Sequence, residues 1–405
     1  MLGSRVITFV GADAAERVVA LVVLIIVALL AGVTLGRSAA RLEELPGLLL
    51  MVPAAIALRG NIFGALGSRL GTAIHAGTFR LSLRPSTTVG ENVLASVMLT
   101  FATSVLLALL AKGAAVAFGV ANSMSLVDFV VVSLIGGFLA SALLLVTALA
   151  LTAGSVRFGW DPDNVTAPLV TAVGDVATVP ALVFASRFAT SGDPGWPLVL
   201  GSALVIVAVP ALAWLVRSAG REGLKTILWE SLPVLIFGIV IDLIAGVTVE
   251  RQFSSFALFP ALLVLLPAFL ALAGAVGGTL SSRLSTQLHL GMVLPTRLPE
   301  AGARAEIARS LALAMPMFAA CGVLAHLFAR WFALASPGLG WMLIVTLAAG
   351  AIAVLLATLV AYYSTIGSVR AGLDPDTYGI PLVTSMLDLL GAFTLILAID
   401  ALGIV

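Results

Sequence analysis

Charge is scarce in this chain of 405 residues: only 10% are Asp, Glu, Lys or Arg, against 61% hydrophobic, and mean hydropathy is +1.17. That balance excludes a soluble globule. Cysteine is almost missing; the lone Cys321 sits in an apolar run, so neither a disulfide framework nor a thiolate metal site is available. A net charge of +1 gives no basic surface for nucleic acid. Polar stretches are short as well, with none longer than about 25 residues, which leaves no room for a soluble domain. The opening is polar and the first apolar run is long enough to remain a helix, so no cleavable signal peptide is expected.

What the chain does have is long apolar runs. Several exceed the ~20 residues that a membrane-spanning helix needs, and their length and free use of Gly and Pro favour a helical bundle over a barrel. Helices are expected near 16–36, 44–66, 88–112, 127–153, 165–187, 197–217, 226–248, 256–278, 305–330, 339–365 and 377–402. The fold class is therefore an all-α polytopic membrane protein of about 11 transmembrane helices.

The order of these helices is a duplication. Gly154-Ser155-Val156-Arg157, Gly159, Asp161-Pro162-Asp163, Pro168-Leu169-Val170-Thr171 and Asp175 return 213 residues later as Gly367-Ser368-Val369-Arg370, Gly372, Asp374-Pro375-Asp376, Pro381-Leu382-Val383-Thr384 and Asp388. Chance repetition in membrane sequence yields Leu and Ala, not an Asp-Pro-Asp and an intramembrane Asp in register. A second pair of blocks, 53–77 and 267–291, matches at an offset of 214, sharing Gly60/Gly274, Gly64/Gly278, Arg69/Arg283, Thr72/Thr286 and His75/His289. Each half is thus a five-helix unit, residues 1–190 and 223–405, with an unmatched helix at Trp196–Val216 in a linker of residues 191–222. Five is odd, so one added helix restores the orientation and makes the repeats parallel, related by a pseudo-twofold along the membrane normal. A fused pseudo-dimer needs no partner chain, and a monomer in lipid is the expectation. Basic residues then set the topology: thirteen on the side of the N-terminus, among them Arg69, Arg157, Arg283 and Arg370, against about six on the other. The N-terminus is expected in the cytoplasm and the C-terminus outside, in the cell's plasma membrane.

Asp175 and Asp388 each lie about eleven residues into a helix, near the midplane, where an unpaired charge costs on the order of 3 kcal/mol. Two inward carboxylates with hydroxyl and carbonyl neighbours suit a hard divalent cation. Pro168 and Pro381 free backbone carbonyls near Thr171 and Thr384, one turn before each Asp, as second contacts for a hydrated ion. Carboxylates gripping hexahydrated Mg²⁺ through its waters would stand about 9–10 Å apart, from ~2.1 Å of metal–oxygen distance and ~2.7 Å of hydrogen bond on each side. Their repulsion at that span is about 1.7 kcal/mol at an effective dielectric of ~20, so both can stay ionised in a wet pore. The ordinary alternative is a protonated Asp bonded between helices. Asp161, Asp163, Asp374 and Asp376 have an ordinary explanation as helix-start residues, with a cation-collecting vestibule as the alternative, and Glu91 and Glu306 read as helix-start acids. Gly60, Gly64, Gly274 and Gly278 let backbones pack closely or line a pore, and Asn61 adds an amide there that Ala275 does not repeat. His75 and His289 read as interfacial hydrogen-bonders. Asp242, whose counterpart is Ala28, is an accessory ion or proton site if it faces the interior.

These blocks resemble a known family. The stretches DPDNVTAPLVTAVGDVATV (161–179) and DPDTYGIPLVTSMLDLLGAF (374–393) look like the final-helix signature of the MgtE magnesium transporters, and LRGNIFGALGSRLGTAIHAG (58–77) and LAGAVGGTLSSRLSTQLHLG (272–291) like their Gly-rich second-helix signature. The Ser-Arg-Leu-x-Thr wording and the tandem units are most similar to the solute carrier family 41 branch. The resemblance implies a Mg²⁺ pathway between two five-helix units, with Asp175 and Asp388 as metal-binding carboxylates and Thr171 and Thr384 as carbonyl ligands. It also implies no enzymatic activity and no catalytic cofactor, Mg²⁺ being the cargo. The family's Asn before the signature Pro is Ala167 and Ile380 here, and no stretch resembles its cytosolic gating domains. An uncoupled channel and a Na⁺- or H⁺-coupled carrier both fit. From other classes, an intramembrane aspartyl protease is disfavoured because its Gly-x-Gly-Asp pattern is broken at Ala172 and absent before Asp388. A non-transporting scaffold would leave the paired Asp without a purpose.

Overall fold

The computed structural model describes residues 2–84, 87–158, 162–189, 199, 203, 222–371 and 380–404. Apart from residues 199 and 203, the expected helix at 196–216 lies outside them, as do Asp161, Asp374 and Asp376. Among the described residues every regular element is a helix. The first half holds α1 (Leu2–Arg37), α2 (Ala39–Glu44), α3 (Leu48–His75), α4 (Thr88–Ala117), α5 (Leu126–Phe158) and α6 (Pro162–Ala185), with a 3₁₀ turn at Ser186–Phe188. The second holds α7 (Glu222–Arg251), α8 (Phe253–Leu258), α9 (Pro260–His289), α10 (Ala301–Trp331), α11 (Leu339–Arg370) and α12 (Ile380–Ala401). Nine helices among the described residues are long and apolar enough to cross a membrane, so this is an all-α multi-pass membrane protein. With α6, of 24 residues, the ten helices expected of two five-helix repeats all form.

Local chemistry sets the ends. Thr87 Oγ1 accepts the Gly90 amide at 3.1 Å to start α4. Ser125 and Asp128 open α5 by capping each other's amides, both at 3.1 Å. The Gly-rich helices α3 and α9 stop with the same device: Gly77 and Gly291 take φ of +67° and +68°, and their amides donate to Ile74 and Leu288 at 3.0 Å each. The short α2 and α8 also correspond, starting 214 residues apart at Ala39 and Phe253. At six residues they hold fewer than two turns, too few for a periodic pattern to announce them.

The chain forms two compact units, residues 37–253 and residues 1–36 with 254–405. In the unit of residues 37–253, α3 is the hub, packed by α4, α5, α6 and α7. Its stretch Leu48–Ala55 is buried on every side, so it is apolar throughout instead of striped. In the other unit α9 plays that part among α10, α11 and α12, and Ala261–Leu270 is the matching buried stretch.

The first helix of each repeat is exchanged. Helix α7, which opens the second repeat, lies on α3 of the first: a Cβ on Gly246 would stand 2.7 Å from the carbonyl carbon of Leu50. Helix α1, which opens the first repeat, lies on α9 of the second, where a Cβ on Gly32 would stand 2.7 Å from the carbonyl carbon of Val264. Both residues of the second pair differ from the first by the repeat offset of 214. Small residues let the backbones touch, which is how helices gain van der Waals energy in lipid. Glu250 seals the α3–α7 pairing by accepting the Gly47 and Leu50 amides at 2.7 and 3.0 Å, so one repeat's carboxylate caps the other's hub helix.

Candidate cation site

In both repeats the helix carrying Asp175 or Asp388 packs antiparallel on the Gly-rich hub. Gly174, just before Asp175, brings α6 onto α3: a Cβ there would lie 3.9 Å from the Gly60 nitrogen and 3.1 Å from a Leu144 methyl. In the second repeat a Cβ on Gly278 would lie 3.7 Å from the Thr384 methyl, and Leu387, just before Asp388, fills the space beside Gly277. The sizes are complementary. In sequence the positions equivalent to Gly277 and Leu387 are Phe63 and Gly174, so the small residue stands on the hub in one repeat and on the Asp-bearing helix in the other.

Asp175 is 7% exposed, and among the described residues its carboxylate has no hydrogen bond or ion pair. One turn on, the Thr178 hydroxyl is sealed and also lacks a hydrogen-bond partner, although a helical Thr ordinarily bonds back to the preceding turn. Two polar groups on one face of α6 are therefore desolvated without compensation, and a ligand that supplied positive charge or a water shell would remove that cost. Asp388 and Thr384 are half-buried and each is engaged by a neighbour. The two carboxylates are thus in unequal surroundings despite their matched register.

Of the other expected lining residues, Gly60, Asn61 and Gly64 lie half-buried on α3. A Cβ on Gly274 would meet nothing within 4 Å, so open space adjoins α9 there. Pro168 and Thr171 fall within α6 and Pro381 at the start of α12, with their side chains outside the described set. Asp242 is buried at 1% exposure on α7, one turn before the Gly246 contact with α3. Among the described residues no group of three His, Cys, Asp or Glu gathers in one place.

Three features escaped the sequence reading. Thr178 carries no signal beyond lying three residues after Asp175. Glu306, read as a helix-start acid, is 1% exposed and receives Arg283 at 2.9 Å, Arg309 at 3.1 Å and Arg17 at 3.9 Å. The sequence could have hinted at this, because Arg17 is the repeat counterpart of Ser231, which accepts Arg69, the counterpart of Arg283. Arg59, an arginine in the apolar middle of α3, is also 1% exposed. His289 behaves as expected, sharing a 3.4 Å hydrogen bond with Ser285.

A duplicated helical membrane protein with an Asp-bearing helix seated on a Gly-rich hub in each half is the class these features define. The family model described as MgtE, divalent cation transporter, matches residues 52–185 and 266–398, one segment in each repeat. The chain belongs to that family. It is 26% identical over 387 residues to solute carrier family 41 member 2 of Mus musculus, covering 88% of this chain and 64% of the relative. It is 26% identical over 378 residues to member 3 of Mus musculus, covering 88% and 75%, and 27% identical over 383 residues to member 2 of Homo sapiens, covering 88% and 64%. The chain therefore spans less than two thirds of the member 2 relatives' length. No solved structure matches it.

Proposed function

We propose that this protein carries divalent cations, Mg²⁺ above all, across the membrane, by a path that the two repeats supply together. Asp175 and Asp388 hold the hydrated ion near the midplane, with the carbonyls and hydroxyls of Thr171 and Thr384 as further contacts. Gly60, Asn61, Gly64, Gly274 and Gly278, with the bends at Pro168 and Pro381, line the path, and Asp242 is an accessory site. The observation that carries the reading is the Asp175 carboxylate, 93% buried on a membrane helix with no hydrogen bond or ion pair among the described residues. Such a group costs on the order of 3 kcal/mol, and a chain that keeps it uses it. Family membership supports the same conclusion. Few ligands and a retained water shell suit Mg²⁺, which dehydrates reluctantly.

The working unit is a monomeric pseudo-dimer in the plasma membrane, with its N-terminus in the cytoplasm, as the distribution of Arg supports. The test is Mg²⁺ flux into proteoliposomes holding the wild type, Asp175→Asn or Asp388→Asn. Both variants are expected to lose flux while eluting as folded protein; unchanged flux in both sinks the assignment. Adding a Na⁺ or pH gradient separates coupled exchange, which responds, from a channel, which does not.

A further inference from the structure

The feature that this reading leaves unused is Arg59. Its side chain is 1% exposed in the membrane-spanning core of the first repeat. Nη1 donates to the Ala55 carbonyl at 3.2 Å and Nη2 to the Ser104 hydroxyl at 3.0 Å, while Nε has no partner. Ser104 belongs to α4, and its carbonyl accepts Ser133 of α5 at 2.7 Å. Gly137 of α5 makes the room: a Cβ there would collide with Nη2 and lie 2.6 Å from the Ser104 oxygen. Among the described residues no carboxylate pairs with Arg59, so every group touching the guanidinium is neutral. A structural arginine would need a counter-charge, because a buried cation without one costs several kcal/mol.

Its place in the bundle supplies a use. Helices α3 and α6 run antiparallel with Gly60 against Gly174, which puts the backbones of Arg59 and Asp175 at one level, and from there the guanidinium reaches toward Gly137 of α5, one to two turns along the bundle. The second repeat has Ala273 at the equivalent position, so only the Asp175 half carries the fixed charge. We infer that Arg59 is a specificity- and release-setting residue: a tethered cation that weakens divalent binding at Asp175, so the ion is not trapped at that desolvated carboxylate. A conducted ion must bind well enough to enter and weakly enough to leave. The sign is secure. Arg59 repels a dication with twice the strength of its attraction for the carboxylate, so its removal tightens binding whether the empty Asp175 is ionised or protonated.

This inference rests on the transport reading, and the experiment separates the two. Mg²⁺ flux is measured for the wild type, Arg59→Met, Arg59→Lys and Asp175→Asn, each checked for a monodisperse peak in detergent. Arg59→Met is expected to lower the KM for Mg²⁺ about tenfold and to reduce maximal flux, as slow release dictates. Arg59→Lys, which keeps the charge but not the planar fork, is expected to hold the wild-type KM. A purely structural Arg59 would instead lose folded protein in both variants and leave KM unmoved. An unchanged KM in folded Arg59→Met, with flux still abolished by Asp175→Asn, overturns this inference alone. Absence of Mg²⁺ flux in the wild type overturns both readings.

Discussion

At the scale of single residues, the molecule keeps polar groups in lipid-depth helices in two ways. Some are paired: Glu306 draws three arginines around one buried carboxylate. Glu306→Gln removes the charge that holds them and is expected to cost on the order of 2 kcal/mol, read as a lowered melting midpoint in detergent. Arg309→Gln is expected to cost under about 1 kcal/mol, since that side chain is 67% exposed. Others are left uncompensated, as Thr178 is. Thr178→Val keeps the shape and removes a sealed hydroxyl without a partner, so the fold should hold or gain about 1 kcal/mol. If the hydroxyl serves the ion, the same variant raises the KM for Mg²⁺; stability and KM both unchanged would mark Thr178 as filler.

Helices as units were legible because apolar runs bounded by Gly and polar turns announce a span, and the repeat alone puts Asp175 and Asp388 in register. Partners were not legible. Apolar periodicity says that a helix buries a face, not which helix covers it, and α1 and α7 carry the same small-residue signal wherever they dock. The exchange shows most directly in Gly32 against Val264 and Gly246 against Leu50, which are backbone contacts that no side-chain pattern encodes. Because backbone cannot yield as a side chain tip can, Gly32→Ala and Gly246→Ala should each cost about 2 kcal/mol or more. Gly113→Ala, in a helix with nothing within 4 Å of the new Cβ, should be neutral or stabilising by up to about 1 kcal/mol. Equal melting midpoints for the three variants would mean that α1 and α7 dock elsewhere. The charge of Arg59 was likewise visible in sequence, yet its neutral surroundings depend on Ser104 and Gly137, 45 and 78 positions away.

For the whole molecule, exchange makes the two repeats interdependent although each has its own hub. Residues 1–203 alone would hold α3 without the helix that covers it and without the Glu250 cap at its N-terminus. They would also hold α1 without α9, whose backbone it touches at Val264, and without Glu306, which it meets through Arg17. In a membrane such faces are not driven together by water, so a missing helix leaves packing and capping unmet instead of merely exposing apolar area. Expressed separately, residues 1–203 and 204–405 should therefore aggregate or be degraded. Expressed together, they should assemble and elute as one species carrying both fragments. Two fragments that each ran as a stable, monodisperse species and failed to bind one another would show that each first helix can close on its own repeat. In that case the exchange would be a choice of connection with no structural necessity. The fused chain is expected to differ: with all ten repeat helices on one polypeptide, the exchange couples the Asp175 repeat to the Asp388 repeat, and neither can come apart without uncovering the other's hub.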